Sequence, residues 1–298
     1  QRQMCIRDSC KTSPAVNADG SSPLIWATAG DSPLRPLRRN GWIDTATLGL
    51  DDRSGAVEIL TYPTMPGSSV FNAMSLTMTP PQALRDAQAS LPDPDAHRVS
   101  YNVDAWRRLF AGDPDLEALA ARYPRTLSRA DVAGIAQAAL QGATPIRRAF
   151  LASMIWGYGT VGYGAFRTAR MLRTPDALGQ LDRAAAATTA GRLGEAVERF
   201  GLQGCGLAFV SKFVYFVGMA SEERPLPVIL DARVEAALTT LGVDLTQLAR
   251  SRGPHAGPRW SLTTRRYLTY VDLVDNWARQ LACRPDQIEM ALFNGLTP

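Results

Sequence analysis

Leu207-Ala-Phe-Val-Ser-Lys-Phe-Val-Tyr-Phe-Val217 is apolar almost all round. A helix with apolar residues on nearly every face is buried on nearly every side, and this one carries Lys212 at its middle. Removing an ammonium from water is costly, and the usual response is a lowered pKa that leaves more neutral amine near neutral pH. A neutral amine attacks electrophilic carbon and forms an imine; arginine cannot replace it, because a guanidinium stays protonated. A lysine can also snorkel to the surface along its methylene stem. Composition argues for chemistry: of the 32 basic residues, only Lys11 and Lys212 are lysines. In a chain that uses arginine nearly everywhere, a lysine deep in an apolar run has a task arginine cannot perform.

Working outward, the helix is preceded by a glycine-containing hairpin, Gly201–Gly206, with Gly204-Cys-Gly206 at its end. It is followed by Arg224-Pro-Leu-Pro-Val-Ile-Leu230 and then Asp231, nineteen residues after Lys212. Ala-Arg-Val-Glu-Ala-Ala-Leu follows Asp231 and is helical, so the aspartate is a natural N-cap. Capping and catalysis are compatible. A carboxylate held by the N–H groups of a helix start stays ionised, and so can stabilise positive charge on a sugar or exchange protons with a nearby amine.

From Pro80 to the C-terminus the chain is rich in Ala, Leu and Arg at helical spacing, punctuated by Gly and Pro. Helices are predicted over 104–110, 115–122, 128–140, 145–156, 166–172, 175–189, 192–200, 207–220, 231–241, 262–283 and 286–293. Ser128-Arg-Ala-Asp131 reads as a capping box. No internal repeat and no strand-rich segment is evident. Before Pro80 the reading differs. Residues 1–9 look like translated sequencing-adapter sequence, and residues 10–79, rich in Ser, Pro, Gly and Thr, read as a linker or small appendage. The expected fold is therefore a mostly α bundle over 80–298 with a poorly defined N-terminal region.

No apolar run reaches the roughly 18 residues needed to cross a bilayer, and no secretory signal is recognisable, so a cytoplasmic, bacterial, nucleoid-associated protein is expected. Four cysteines, two of them within the first ten residues, supply neither a disulfide framework nor a metal cluster. No metal and no cofactor are expected. The net charge of +4 suits a polyanionic partner without proving one.

In Gly204-Cys-Gly206, Lys212, Pro227 and Asp231, the sequence resembles the helix-hairpin-helix DNA glycosylases, most closely the 8-oxoguanine type without an iron–sulfur cluster. The resemblance covers about residues 100–298. It departs from the usual pattern in the hairpin, where Lys212 lies six residues after Gly206 rather than two. It implies base excision from double-stranded DNA by a monomer, with Lys212 as Schiff-base nucleophile, Asp231 as its partner and strand cleavage by β-elimination. It further implies DNA contacts from the hairpin glycines Gly204 and Gly206 and from Arg233, two residues after Asp231. Glu289 and Phe293 resemble the pair that recognises and stacks on the base, with Phe216 as the opposite wall.

Trp156-Gly-Tyr-Gly-Thr-Val-Gly-Tyr-Gly164 stands where such enzymes carry the loop that enters DNA, so Tyr158 or Tyr163 is a candidate to fill the gap left by a flipped base. The same stretch also reads as a glycine-rich turn with two packing tyrosines. Arg167, Arg170 and Arg173 share one helix face and, with Arg147 and Arg148, read more simply as solvated charge. Two other classes were weighed. A non-catalytic helix-hairpin-helix DNA-binding module leaves Lys212 unexplained; a lysine enzyme acting on a small carbonyl compound calls for alternating strands and helices, which are missing.

Overall fold

The computed structural model describes residues 78–222, 224–251, 255 and 259–296, together with four two-residue strands nearer the N-terminus. The chain divides into two compact units, residues 1–69 and 70–298. In the first, β1 (Thr28–Ala29) pairs antiparallel with β2 (Ser32–Pro33), and β3 (Gly49–Leu50) with β4 (Val57–Glu58). The adapter-like residues 1–9 lie outside the described residues.

The second unit is a helical bundle. It contains α1 (Gln82–Asp86), β5 (Arg98–Ser100), α2 (Val103–Arg107), α3 (Pro114–Arg122), β6 (Thr126–Ser128), α4 (Arg129–Leu140) and α5 (Ile146–Tyr158). There follow α6 (Gly164–Leu172), α7 (Ala177–Thr189), α8 (Leu193–Glu198), α9 (Leu207–Ser221) and α10 (Ala232–Thr240). The C-terminal part holds α11 (Leu245–Arg250), α12 (Leu262–Gln280) and α13 (Pro285–Phe293). Helix starts are set by local chemistry. Asn102, Asp113, Asp231, Asp244 and Ser261 each accept backbone N–H groups as N-caps, and Ser128 and Asp131 cap one another reciprocally.

α9 is the axis of the core. Val210 through Gly218 are all buried, and the helix packs against α4, α5 and α7. Burial of Phe213, Val214, Phe216 and Val217 contributes about 1.5–3 kcal/mol each, which far exceeds any helix propensity in this β-branched, aromatic run. Among the described residues no helix is long and apolar enough to cross a membrane.

Three elements differ from the sequence-based expectation. α1 and α11 are short helices in stretches for which no helix was predicted. The β5–β6 ladder pairs Arg98 with Ser128, Val99 with Leu127 and Ser100 with Thr126. Three residues carry too little alternation to announce a strand; β5 is a strand because β6 supplies its partner across the fold. The helical body also extends upstream of Pro80. The Met78 carbonyl accepts from Trp277 Nε1 at 3.0 Å and from Asn276 and Gln280 at 3.3 Å, which ties residue 78 to α12.

Candidate active site

Lys212 is buried, with its Nζ 3.3 Å from Asp231 Oδ2 and donating to the Ala208 carbonyl at 3.1 Å. Burial pushes its ammonium down from the ordinary lysine value, and the Asp231 charge and hydrogen bond pull partly the other way. The amine thus loses its proton more readily than a surface lysine while keeping a carboxylate within proton-transfer reach.

The nineteen-residue spacing becomes a contact through specific anchors. Gly218 packs so closely on Pro227 that a Cβ there would lie 2.5 Å from the proline ring, which presses the link onto α9. The Tyr267 and Tyr270 hydroxyls of α12 donate to the carbonyls of Val228 at 3.1 Å and Ile229 at 2.9 Å. Ser211, adjacent to Lys212, accepts from the Leu230 N–H at 3.2 Å. Asp231 then caps α10 through Oδ1, accepting from Arg233 N at 3.1 Å and Val234 N at 3.2 Å. This leaves Oδ2 for the lysine. One carboxylate serves both roles.

The pair opens into a cavity of about 530 Å³ whose walls include His97–Ser100, Trp156–Val161, Ile229, Arg233 and Phe293. Gly157 makes room for the lysine: a Cβ there would meet Lys212 Cδ at 2.8 Å. Beside the lysine lies a second buried charge pair. Arg129 donates to Glu289 Oε2 at 2.6 Å, both side chains being 1% exposed. Arg129 also stacks between the rings of Trp156 and Tyr215, 5.2 Å from each centroid. Tyr215 donates to Asp286 at 3.0 Å, and Asp286 is held by Arg284 at 2.6 Å. Burial pushes the Glu289 carboxyl up, opposed by the Arg129 guanidinium.

A family model described as "Putative 8-oxoguanine DNA glycosylase OGG-like protein" matches residues 92–293. The chain belongs to this family. No curated protein and no solved structure matches. The matched region of this OGG-like protein holds every wall of the cavity, from His97 on β5 to Phe293 on α13.

The structure brings Lys212, Asp231, Tyr158, Arg233, Glu289 and Phe293 to this one cavity, whose lining does not include Phe216, Tyr163, Gly204 or Gly206. Arg233 lies over the Phe293 ring at 4.2 Å, joining two residues predicted for different roles. Phe216 is fully buried and does not line the cavity; it sits edge-on behind Trp156 at 5.3 Å, and Trp156 is the aromatic wall. Tyr158 is buried and stacked on Phe209 at 4.2 Å, whereas Tyr163 is 53% exposed. Gly204, at φ +81°, and Gly206, at the start of α9, face open space. Arg147 and Arg148 are tied to Asp115 at 2.7 and 3.0 Å and fasten α5 to α3.

Sequence reasoning missed His97, Arg129 and Trp156. Arg129 was legible only as the residue after an N-cap, and an arginine at a helix start gives no sign of burial. His97 is one of two histidines in the chain, and its rarity is the one sign of it in the sequence.

Proposed function

We propose that this OGG-like protein is a DNA base-excision glycosylase with AP lyase activity, acting as a monomer on an oxidised purine such as 8-oxoguanine in double-stranded DNA. The observation that carries the reading is the buried amine of Lys212, 3.3 Å from Asp231 Oδ2, at the wall of a cavity large enough for a flipped nucleotide. In this scheme the base rotates out of the duplex into the cavity. The neutral Nζ attacks C1′, the C1′–N bond breaks with its electrons leaving on the base, and the base takes up a proton. Asp231 stabilises positive charge developing on the sugar and then receives the proton that Nζ sheds. Opening of the sugar ring gives the imine, from which loss of the C2′ proton expels the 3′ phosphate.

Two surfaces support DNA as the partner. The hairpin offers Gly204 and Gly206 without side chains, so a phosphate can approach the backbone N–H groups at the start of α9. Beside the cavity, Val161, Tyr163 and Phe166 are three of the five exposed large hydrophobics among the described residues, and Arg167 lies 5.7 Å from the Tyr163 ring. Aromatic side chains interleaved with arginine suit an opened duplex, with Tyr163 filling the gap left by the flipped base. A non-catalytic DNA-binding module accounts for the hairpin and not for the buried lysine.

The decisive test is borohydride trapping on an 8-oxoguanine duplex. Wild type is expected to form a covalent adduct and Lys212→Gln none, with duplex affinity retained because phosphate contacts supply most of it. Adduct formation by Lys212→Gln ends the assignment.

A further inference from the structure

His97 lies in the cavity wall and has no part in the chemistry assigned above to Lys212 and Asp231. Its backbone is fixed on both sides: the N–H donates to the Pro94 carbonyl at 3.1 Å, and the carbonyl accepts from Arg129 N at 3.1 Å. The half-buried imidazole sits edge-on to Trp156 at 5.4 Å and 6.1 Å from the Phe293 ring. Gly157, the residue after Trp156, lies on the Lys212 stem, so the histidine packs on the neighbour of the residue that touches the lysine. His97 Nδ1 is buried without a hydrogen-bond partner. An imidazolium has two N–H groups to satisfy, so this setting favours the neutral ring, one nitrogen of which carries a lone pair. Burial and the Arg129 charge both push the ring below the ordinary histidine value, in the same direction.

Strand cleavage calls for such a group. Asp231 receives the proton that Nζ sheds, so the proton on C2′ requires a different acceptor. The other titratable side chains of the wall are unsuited. Arg98, Arg129 and Arg233 stay protonated. The Tyr158 hydroxyl, pushed up to about 12 by burial, keeps its proton. Glu289 is paired with Arg129 at 2.6 Å, and protonating it would leave a buried guanidinium without its anion. We infer that His97 is the proton acceptor of the β-elimination step. Its ring nitrogen takes the C2′ proton, and the C2′–H electrons form an enamine with C1′. The imine then re-forms as a C2′–C3′ double bond appears and the C3′–O bond breaks, the 3′ phosphate leaving with that electron pair. The imidazolium returns its proton to water. The inference rests on the lysine reading above and adds the acceptor that reading lacks.

The test uses a duplex carrying an abasic site, where the imine forms without base release. Borohydride adduct and direct strand breaks are followed in single turnovers. Wild type is expected to give both. In His97→Gln the ratio of strand cleavage to adduct should fall at least about 100-fold, the usual range for a lost acid–base group, and added imidazole should restore part of it. The pH dependence of cleavage gives a second readout. In wild type, cleavage of the accumulated imine should slow as pH falls through the lowered His97 value, and this limb should vanish in the variant. At that stage Lys212 is bound in the imine, and a limb set by Asp231 or Glu289 would survive in His97→Gln. His97→Asn and melting temperatures of both variants guard against misfolding, and the wild-type profile needs no variant. An unchanged ratio, a limb that survives, or adduct lost along with cleavage in a folded variant overturns the inference and spares the lysine chemistry. Wild-type adduct without strand breaks overturns the inference and the lyase activity together. Absence of wild-type adduct overturns the lysine reading itself.

Discussion

Two glycine-containing turns of this protein, one flanking the cavity and one before α9, use the same residue in opposite ways. Around the turn from the end of α5 to the start of α6, glycine makes room for side chains: a Cβ at Gly157 would meet Lys212 Cδ at 2.8 Å, and one at Gly164 would lie 2.6 Å from Tyr158 Cβ. In the hairpin before α9, Gly204 and Gly206 have nothing within contact distance of an added Cβ. The first turn faces inward and shapes the cavity, whereas the second faces outward and leaves backbone available to a partner. Identical composition therefore separates into a closely packed turn and an open one once the neighbours are known.

Five substitutions test that division. The largest effect is expected from Asp231→Asn, beside the inward-facing loop. Base release should slow about 100-fold or more, the usual range for a lost acid–base group, while asparagine still caps α10. The pH profile carries an independent sign. Asp231 favours the ammonium form of Lys212, so its neutralisation lowers the lysine pKa further and moves the rising limb of trapping activity to lower pH. An unshifted limb, read from single-turnover rates across pH, would show that Asp231 acts only as a cap. Linkage gives the matching stability effect. Because the folded lysine pKa is depressed, the unfolded chain binds more protons between that value and the ordinary one near 10.5. The Lys212 contribution to stability is thus expected to rise with pH across this window in wild type and to disappear in Lys212→Met, as read from denaturant midpoints.

Gly157→Ala is next. Its backbone is helical and tolerates alanine, so the cost falls on the lysine stem that must move aside. Trapping should slow about tenfold, since small misplacements of a reacting group are expensive, with duplex affinity unchanged. Full activity in this variant would remove the chemical role of the inward loop. Gly204→Ala reverses the pattern. A side chain at φ +81° costs about 1–2 kcal/mol, so the hairpin should distort, duplex affinity fall several-fold and abasic trapping at saturating DNA persist. Gly206→Ala, in extended backbone with open space around it, keeps the fold but puts a methyl group where a phosphate would approach the backbone, so duplex affinity should fall a few-fold, less than for Gly204→Ala, which a titration at fixed salt would check. Unchanged affinity there would mean that DNA does not approach the backbone at Gly206.

Much of this architecture was written locally. An apolar run broken by one lysine in an arginine-rich chain, a capping aspartate nineteen residues on, and caps such as Ser128 with Asp131 are signals carried by neighbours in sequence, because helix periodicity and N-cap chemistry act within a few residues. They determined the helical class, most helix positions and the Lys212 and Asp231 pair. What tertiary structure alone decided involves partners far apart along the chain. β5 exists because β6 pairs with it, Arg129 is buried because Glu289 waits 160 residues later, and Trp156 rather than Phe216 faces the cavity because α9 turns Phe216 behind it. The same spacing that placed Glu289 and Phe293 on one helix could not say that Arg233 would lie on the phenylalanine or that Arg129 would claim one carboxylate oxygen and leave the other free. Burial and pairing of charges depend on which surfaces meet, and that is a property of the packed bundle rather than of any one segment.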